Sequence, residues 1–83
     1  MEAILLNQTT YEQFSSCVPD MLEEEISRTS IRLRLQQAPN TADERVLYQK
    51  ELDRLSGLKY LSQMRKGKLS REDFETKVKL VSN

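Results

Sequence analysis

Apolar residues return at helical spacing through most of the chain, and the shifts of phase between runs divide it into helical stretches. Over residues 41–65, Tyr48, Leu52, Leu55, Leu58, Leu61 and Met64 recur at steps of +4, +3, +3, +3 and +3. Their mean spacing is shorter than the 3.6 residues of a helical turn, so the stripe winds round the helix as it advances. At about 100° per residue, Tyr48, Leu52 and Leu55 share one side, whereas Leu47, Leu58 and Leu61 lie roughly a quarter-turn or more away. One hairpin partner cannot cover both sides. Either a third helix of the same chain or a partner protein is needed for the second.

The ends of this helix are marked by local chemistry. Thr41 is followed three residues later by Glu44, the spacing of a capping box, and Asp43 and Glu44 place negative charge where the helix dipole favours it. Pro39 disfavours helical geometry at Ala38, so an earlier helix ends there and Asn40 belongs to the turn. Arg65 and Lys66 form a basic last turn, with Gly67 just beyond.

Upstream, Thr9 with Glu12 or Thr10 with Gln13 offers another capping box. From there Tyr11, Phe14, Val18, Leu22, Ile26, Thr29 and Leu33 fall on one helical face. Pro19 interrupts this stripe without changing its phase, which predicts a kink or a close restart with Pro19 in the first turn. Ile31 and Leu35 lie on roughly the opposite side from Leu22 and Leu33, leaving apolar surface that a simple hairpin does not bury. Downstream, Ser70 caps a third helix, Leu69 can staple onto Phe74, and Phe74, Val78 and Val81 form its stripe. That helix is the natural cover for Leu58 and Leu61. The apolar patch Ile4-Leu5-Leu6 is too short to define an element and reads as an end packing on the helices, in preference to an edge segment offered to a partner. The expected fold is all-α: one domain, residues 1–83, built as an antiparallel hairpin of two long helices, the first kinked or restarted near Pro19, plus a short C-terminal helix.

Composition agrees with helices. Of 83 residues, 37% are apolar, 31% are charged, and only two are glycine and two proline, which leaves few turns for a sheet. A chain this short buries only about 60–65% of its unfolded surface, so its core should be thin. Thirteen basic and thirteen acidic residues cancel, removing the long-range attraction on which nucleic-acid or anionic-membrane binding relies. No apolar run approaches the roughly 18 residues of a spanning helix, and the short N-terminal patch does not make a secretory signal. A soluble, cytoplasmic protein is expected.

The chemistry available is sparse. Cys17 is the single cysteine and histidine is absent, which excludes an intramolecular disulfide, the usual Cys/His zinc sites, and Ser–His or Cys–His nucleophile pairs. Cys17 reads as a small apolar residue, with no basic neighbour in sequence to activate it. Glu23-Glu24-Glu25 followed by Arg28, Arg32 and Arg34 reads as a solvated face, with Glu24 and Arg28 spaced for an ion pair. No catalytic residue, cofactor site or metal site is expected, and the chain reads as a non-enzyme.

With these residues laid out, the middle of the chain resembles small helical proteins of the bacterial type III secretion needle system. Pro39-Asn40, Leu47-Tyr48-Gln49, Leu52 and Leu55 are similar to the turn and second-helix start of needle subunits. Gly57-Leu58-Lys59-Tyr60-Leu61-Ser62-Gln63-Met64 is similar to the end of the second helix in the YscE-type needle co-chaperones. The likeness covers about 25 of the 83 residues and excludes Leu69–Asn83, and capping and charge in that segment favour the co-chaperone over the polymerising subunit. The resemblance implies a helical hairpin that binds a tetratricopeptide-like chaperone, or the needle subunit itself, and keeps that subunit soluble, with no membrane insertion. Self-association is the other expected use of the same faces. The candidate partner-binding residues are Leu47, Leu58, Tyr60, Leu61, Ile31 and Leu35. The competing readings are a needle or inner-rod structural subunit and a small dimeric helical regulator, including a DNA-associated one.

Overall fold

The computed structural model describes residues 3–82. A strand β1 (Ile4–Asn7) leads into helix α1 (Gln8–Ser15), then α2 (Pro19–Leu35), α3 (Ala42–Arg65), α4 (Arg71–Lys77) and a final strand β2 (Val78–Val81). The fold is mostly helical, but the all-α expectation is corrected by the two strands, which pair in parallel with Ile4 opposite Val78 and Asn7 opposite Val81. Their burial alternates as a pleat requires: Leu6 and Val78 are buried, while Leu5 and Lys79 face outward. The apolar patch at residues 4–6 does pack on the helices, through Leu6, but as part of a defined strand and not as a loose end.

The helix ends follow local chemistry closely. Asn7, rather than Thr9 or Thr10, caps α1, its Oδ1 accepting from the amides of Thr9 (2.8 Å) and Thr10 (3.4 Å). The alternatives at Pro19 resolve as a restart: Val18 is extended, at φ −62° and ψ 145°, and Pro19 opens α2 where its missing N–H costs nothing. Val18 is thereby expelled from the apolar face and stands exposed. Thr41 caps α3 by accepting from the Glu44 amide, while the Glu44 carboxylate accepts from the Asn40 amide, one residue earlier than a strict capping box would have it. Gly67, at φ +77°, closes α3 in a Schellman turn, with Lys68 N–H donating to Gln63 and Gly67 N–H to Met64. Ser70 caps α4 at the Asp73 amide.

The hairpin of α2 and α3 is antiparallel, as three cross-links show: Arg32 pairs with Glu51, Arg54 with Glu25, and Lys66 with Glu23. Thr29 is fully buried between these helices and its hydroxyl accepts from Arg54 Nη1 at 3.1 Å. Everything else gathers at the other half of α3. Leu6, Phe14, Leu22, Leu58, Leu61, Phe74 and Val78 form the core, with Tyr11, Ile26, Met64 and Leu80 around it. The expected third helix stops at Lys77, because Val78 turns extended (φ −128°, ψ 127°) and joins β1. The winding stripe of α3 is thus covered from two sides: α2 runs beside the helix from Glu51 to Ser62, and the later part also lies under β1, α1 and α4.

Leu6 packs directly on α3 at Gly57. A Cβ at that position would sit 3.0 Å from Leu6 Cδ1 and 3.3 Å from Leu6 Cβ and Cδ2, so the absent side chain is what lets the strand approach the helix.

Candidate partner-binding groove

The apolar residues left outside the core collect at the turn end of the hairpin. Ile31 is 49% exposed, Leu35 81% and Leu47 65%, and the three line one open groove of about 790 Å³. The helices place them there by period: on α2, Arg28, Ile31 and Leu35 stand at i, i+3 and i+7, and Leu47 faces them from α3. Arg28, Arg32, Gln36 and Glu51 form the polar rim. The Arg32–Glu51 pair ties the two walls together, and Arg28 Nη2 holds Glu24 at 2.7 Å along α2. Both pairs are solvent-exposed enough to contribute little stability. The groove stays open because β1, α1, α4 and β2 pack on α3 from about Lys50 onward, leaving the turn end of the two helices, around Ile31, Leu35 and Leu47, as a bare arm.

The six candidate residues separate accordingly. Ile31, Leu35 and Leu47 come together in the groove. Leu58 and Leu61 are 0% exposed: the chain's own Leu6, Phe74 and Val78 complete the core around them, so they offer no surface to a partner. Tyr60 is half-buried beside α4, with the Lys77 ammonium 5.7 Å from its ring centroid. Val46, 54% exposed next to Leu47, and the rim residues Arg28 and Glu51 were not among the candidates. The sequence signals for two of these are helical spacing: Arg28 stands at i−3 from Ile31 on α2, and Glu51 at i+4 from Leu47 on α3.

Two polar clusters lie away from the groove. Arg65 reaches from α3 to the end of α1, donating to the carbonyls of Phe14 (3.0 Å) and Cys17 (2.6 Å). It substitutes for the hydrogen-bond donors that α1 lacks at its C-terminus, and its Nη1 is 3.6 Å from Cys17 Sγ. The Arg65 neighbour of Cys17 comes from the fold and is invisible in the local sequence. Beside it, the Lys66 ammonium and then the Ser62 hydroxyl, both donating to Glu23 Oε1, hold the Glu23 carboxyl below its ordinary range. Among the described residues no three His, Cys, Asp or Glu side chains converge as a metal site, and no helix is long and apolar enough to cross a membrane.

Compared with known protein families, curated proteins and solved structures, the chain matches none of them.

Proposed function

We propose that this chain is a non-enzymatic helical interaction protein acting as a type III secretion co-chaperone, which binds a partner chaperone and helps keep the needle subunit soluble. The observation that carries the interaction reading is the open groove of Ile31, Leu35 and Leu47 on a bare helical arm. Such a groove takes the apolar face of a partner helix, with anchors at i, i+3 or i+4, and i+7. The secretion context rests on the resemblance of residues 39–64 alone. A folded C-terminal segment favours the co-chaperone over the polymerising subunit, because α4 and β2 are engaged with α3 and β1 and are not offered to a fibre. The two strands are additions to the plain hairpin that the resemblance implies. Since Phe74 and Val78 occupy the second side of α3, the partner contact belongs to the arm and not to Leu58 and Leu61.

Affinity capture from the source bacterium tests this reading. Retention of a helical-repeat chaperone or a needle-type subunit by the wild-type chain, lost in the Leu35→Glu, Leu47→Glu variant, supports it. Both substitutions are at exposed positions and should leave stability within about 0.5 kcal/mol, so an unchanged circular dichroism melt separates lost binding from lost folding. Failure to retain such a protein, together with no rise in melting temperature on co-expression with a chaperone partner, would overturn the proposal.

A further inference from the structure

We infer that residues 69–81, which carry α4 and β2, are a strap that opens as one unit on a pivot at Gly67 while β1, α1, α2 and α3 stay folded. The argument is the distribution of polar cross-links. The α2–α3 hairpin is tied by Arg32–Glu51, Arg54–Glu25 and Lys66–Glu23, and by the Ser62 hydroxyl donating to Glu23. Helix α1 is tied to α3 by Arg65 at the Phe14 and Cys17 carbonyls, and β1 rests on α3 through Leu6 at Gly57. In α4, by contrast, every side-chain hydrogen bond and ion pair among the described residues is internal: Ser70 with the Asp73 amide, Arg71 with Glu75, and Thr76 with the Glu72 carbonyl.

What holds the strap is the backbone ladder to β1, the burial of Phe74 and Val78, and two looser contacts. The Phe74 and Tyr11 ring centroids are 5.9 Å apart, and the Lys77 ammonium is 5.7 Å from the Tyr60 centroid. A two-stranded ladder is marginal by itself, and a helix of seven residues has no stability apart from what it packs on. Helix α4 and β2 therefore depend on the same few contacts and come away together, as a local cooperative unit does. Gly67 supplies the pivot: it holds φ +77°, and nothing lies within 4 Å of where a Cβ would stand. Opening takes Phe74 and Val78 out of the core around Leu58 and Leu61 and bares the edge of β1 that β2 had paired. The strap is thus a reversible cover on the second side of α3, whatever fills the groove on the arm.

Native-state hydrogen exchange of the full chain, read amide by amide by NMR in low urea, tests it. The protected amides of residues 74–80 should share one opening constant, at least about tenfold larger than that of the α3 amides near Leu58, and it should rise with urea as buried surface opens. Leu33 is buried on α2 outside that core. Leu33→Val should lower the protection of the α2 and α3 amides roughly threefold to tenfold and leave the strap constant unchanged to within about twofold. Gly67→Ala should raise both constants by the same factor, roughly fivefold or more, because the left-handed conformation strains alanine and is released in either opening. Equal protection in strap and α3 overturns the inference. So does a gradient that falls from Ser82 inward without urea dependence, which is fraying of an end. A strap constant that follows Leu33→Val, or one that ignores Gly67→Ala, overturns it as well.

Discussion

Replacing Gly57 by alanine asks how tightly β1 is seated on α3. In a helix interior alanine is favoured over glycine by about 1 kcal/mol, so helix propensity alone makes the variant more stable. The contact geometry opposes this. The new Cβ would meet Leu6 Cδ1 at 3.0 Å and Leu6 Cβ and Cδ2 at 3.3 Å. The Cδ1 contact can be relieved by a rotamer change, but Leu6 is 1% exposed, with little room to turn. Its Cβ moves only with the strand, which is tied to β2 in register. Overpacking of this kind costs about 1–3 kcal/mol, so the net expectation is a loss of about 1 kcal/mol. For a domain of this size that lowers the melting temperature by roughly 4–8 °C. Leu6→Ala removes two of the three crowding atoms at a cavity cost of about 2–5 kcal/mol. In that background Gly57→Ala should no longer lose stability and should gain up to about 1 kcal/mol, because only the 3.3 Å contact with the retained Cβ still opposes helix propensity. Urea unfolding of the four chains, followed by circular dichroism, closes the double-mutant cycle. Equal gains from alanine in both backgrounds would refute the seating of Leu6 on Gly57.

Other expectations follow from the polar contacts. Arg65→Ala removes the guanidinium donor from the Phe14 and Cys17 carbonyls, leaving Phe14 O only the weak 3.5 Å contact from Cys17 Sγ, and should cost about 1–3 kcal/mol in urea unfolding; Arg65→Lys should recover only part, because an ammonium lacks the guanidinium fork. Glu23 titrates below its ordinary value of 4.5 because of Lys66 and Ser62, so its contribution to stability is present above about that pH and is lost as pH falls through the lowered value. Glu23→Gln should therefore flatten the fall of melting temperature below pH 4.5 and leave its slope near neutrality unchanged; identical acid limbs would exclude this. Ser70→Ala removes the hydroxyl that accepts from the Asp73 amide and should cost about 1 kcal/mol, with Ser70→Asp retaining most of it.

The helical part of the fold was legible because its signals are local. Thr41 and Ser70 as caps, Gly67 as the closing residue and Pro19 at a helix start each act within a few residues of themselves, and each appears where its chemistry places it. The strands were not legible because four-residue runs carry little periodicity, and Ile4–Asn7 is extended only because Val78–Val81 lies beside it. Phe74, Val78 and Val81 fit helical spacing, yet pairing with β1 prevails over that local pattern from Val78 onward. For the groove, Ile31, Leu35 and Leu47 stood out as apolar positions off the main faces. Leu58 and Leu61 looked similar in sequence, and only the return of Leu6 and Phe74 onto α3 distinguishes buried from exposed. Arg65 reaching Cys17 is likewise a long-range fact that no local rule contains.

The parallel pairing of β1 with β2 also imposes an order of events on the making of the protein. Of the described elements, the first to be made must wait for the last. At about 5–20 residues per second, the interval between Leu6 and Val78 is several seconds, whereas helices form within microseconds. Only late in that interval, once Arg65 has been made, can α2 and α3 meet, and until Val78 follows, Leu58, Leu61 and Leu6 remain wet. The nascent chain is therefore a hairpin with an open seam, and it closes only when Val78–Val81 arrives to hold β1 against α3.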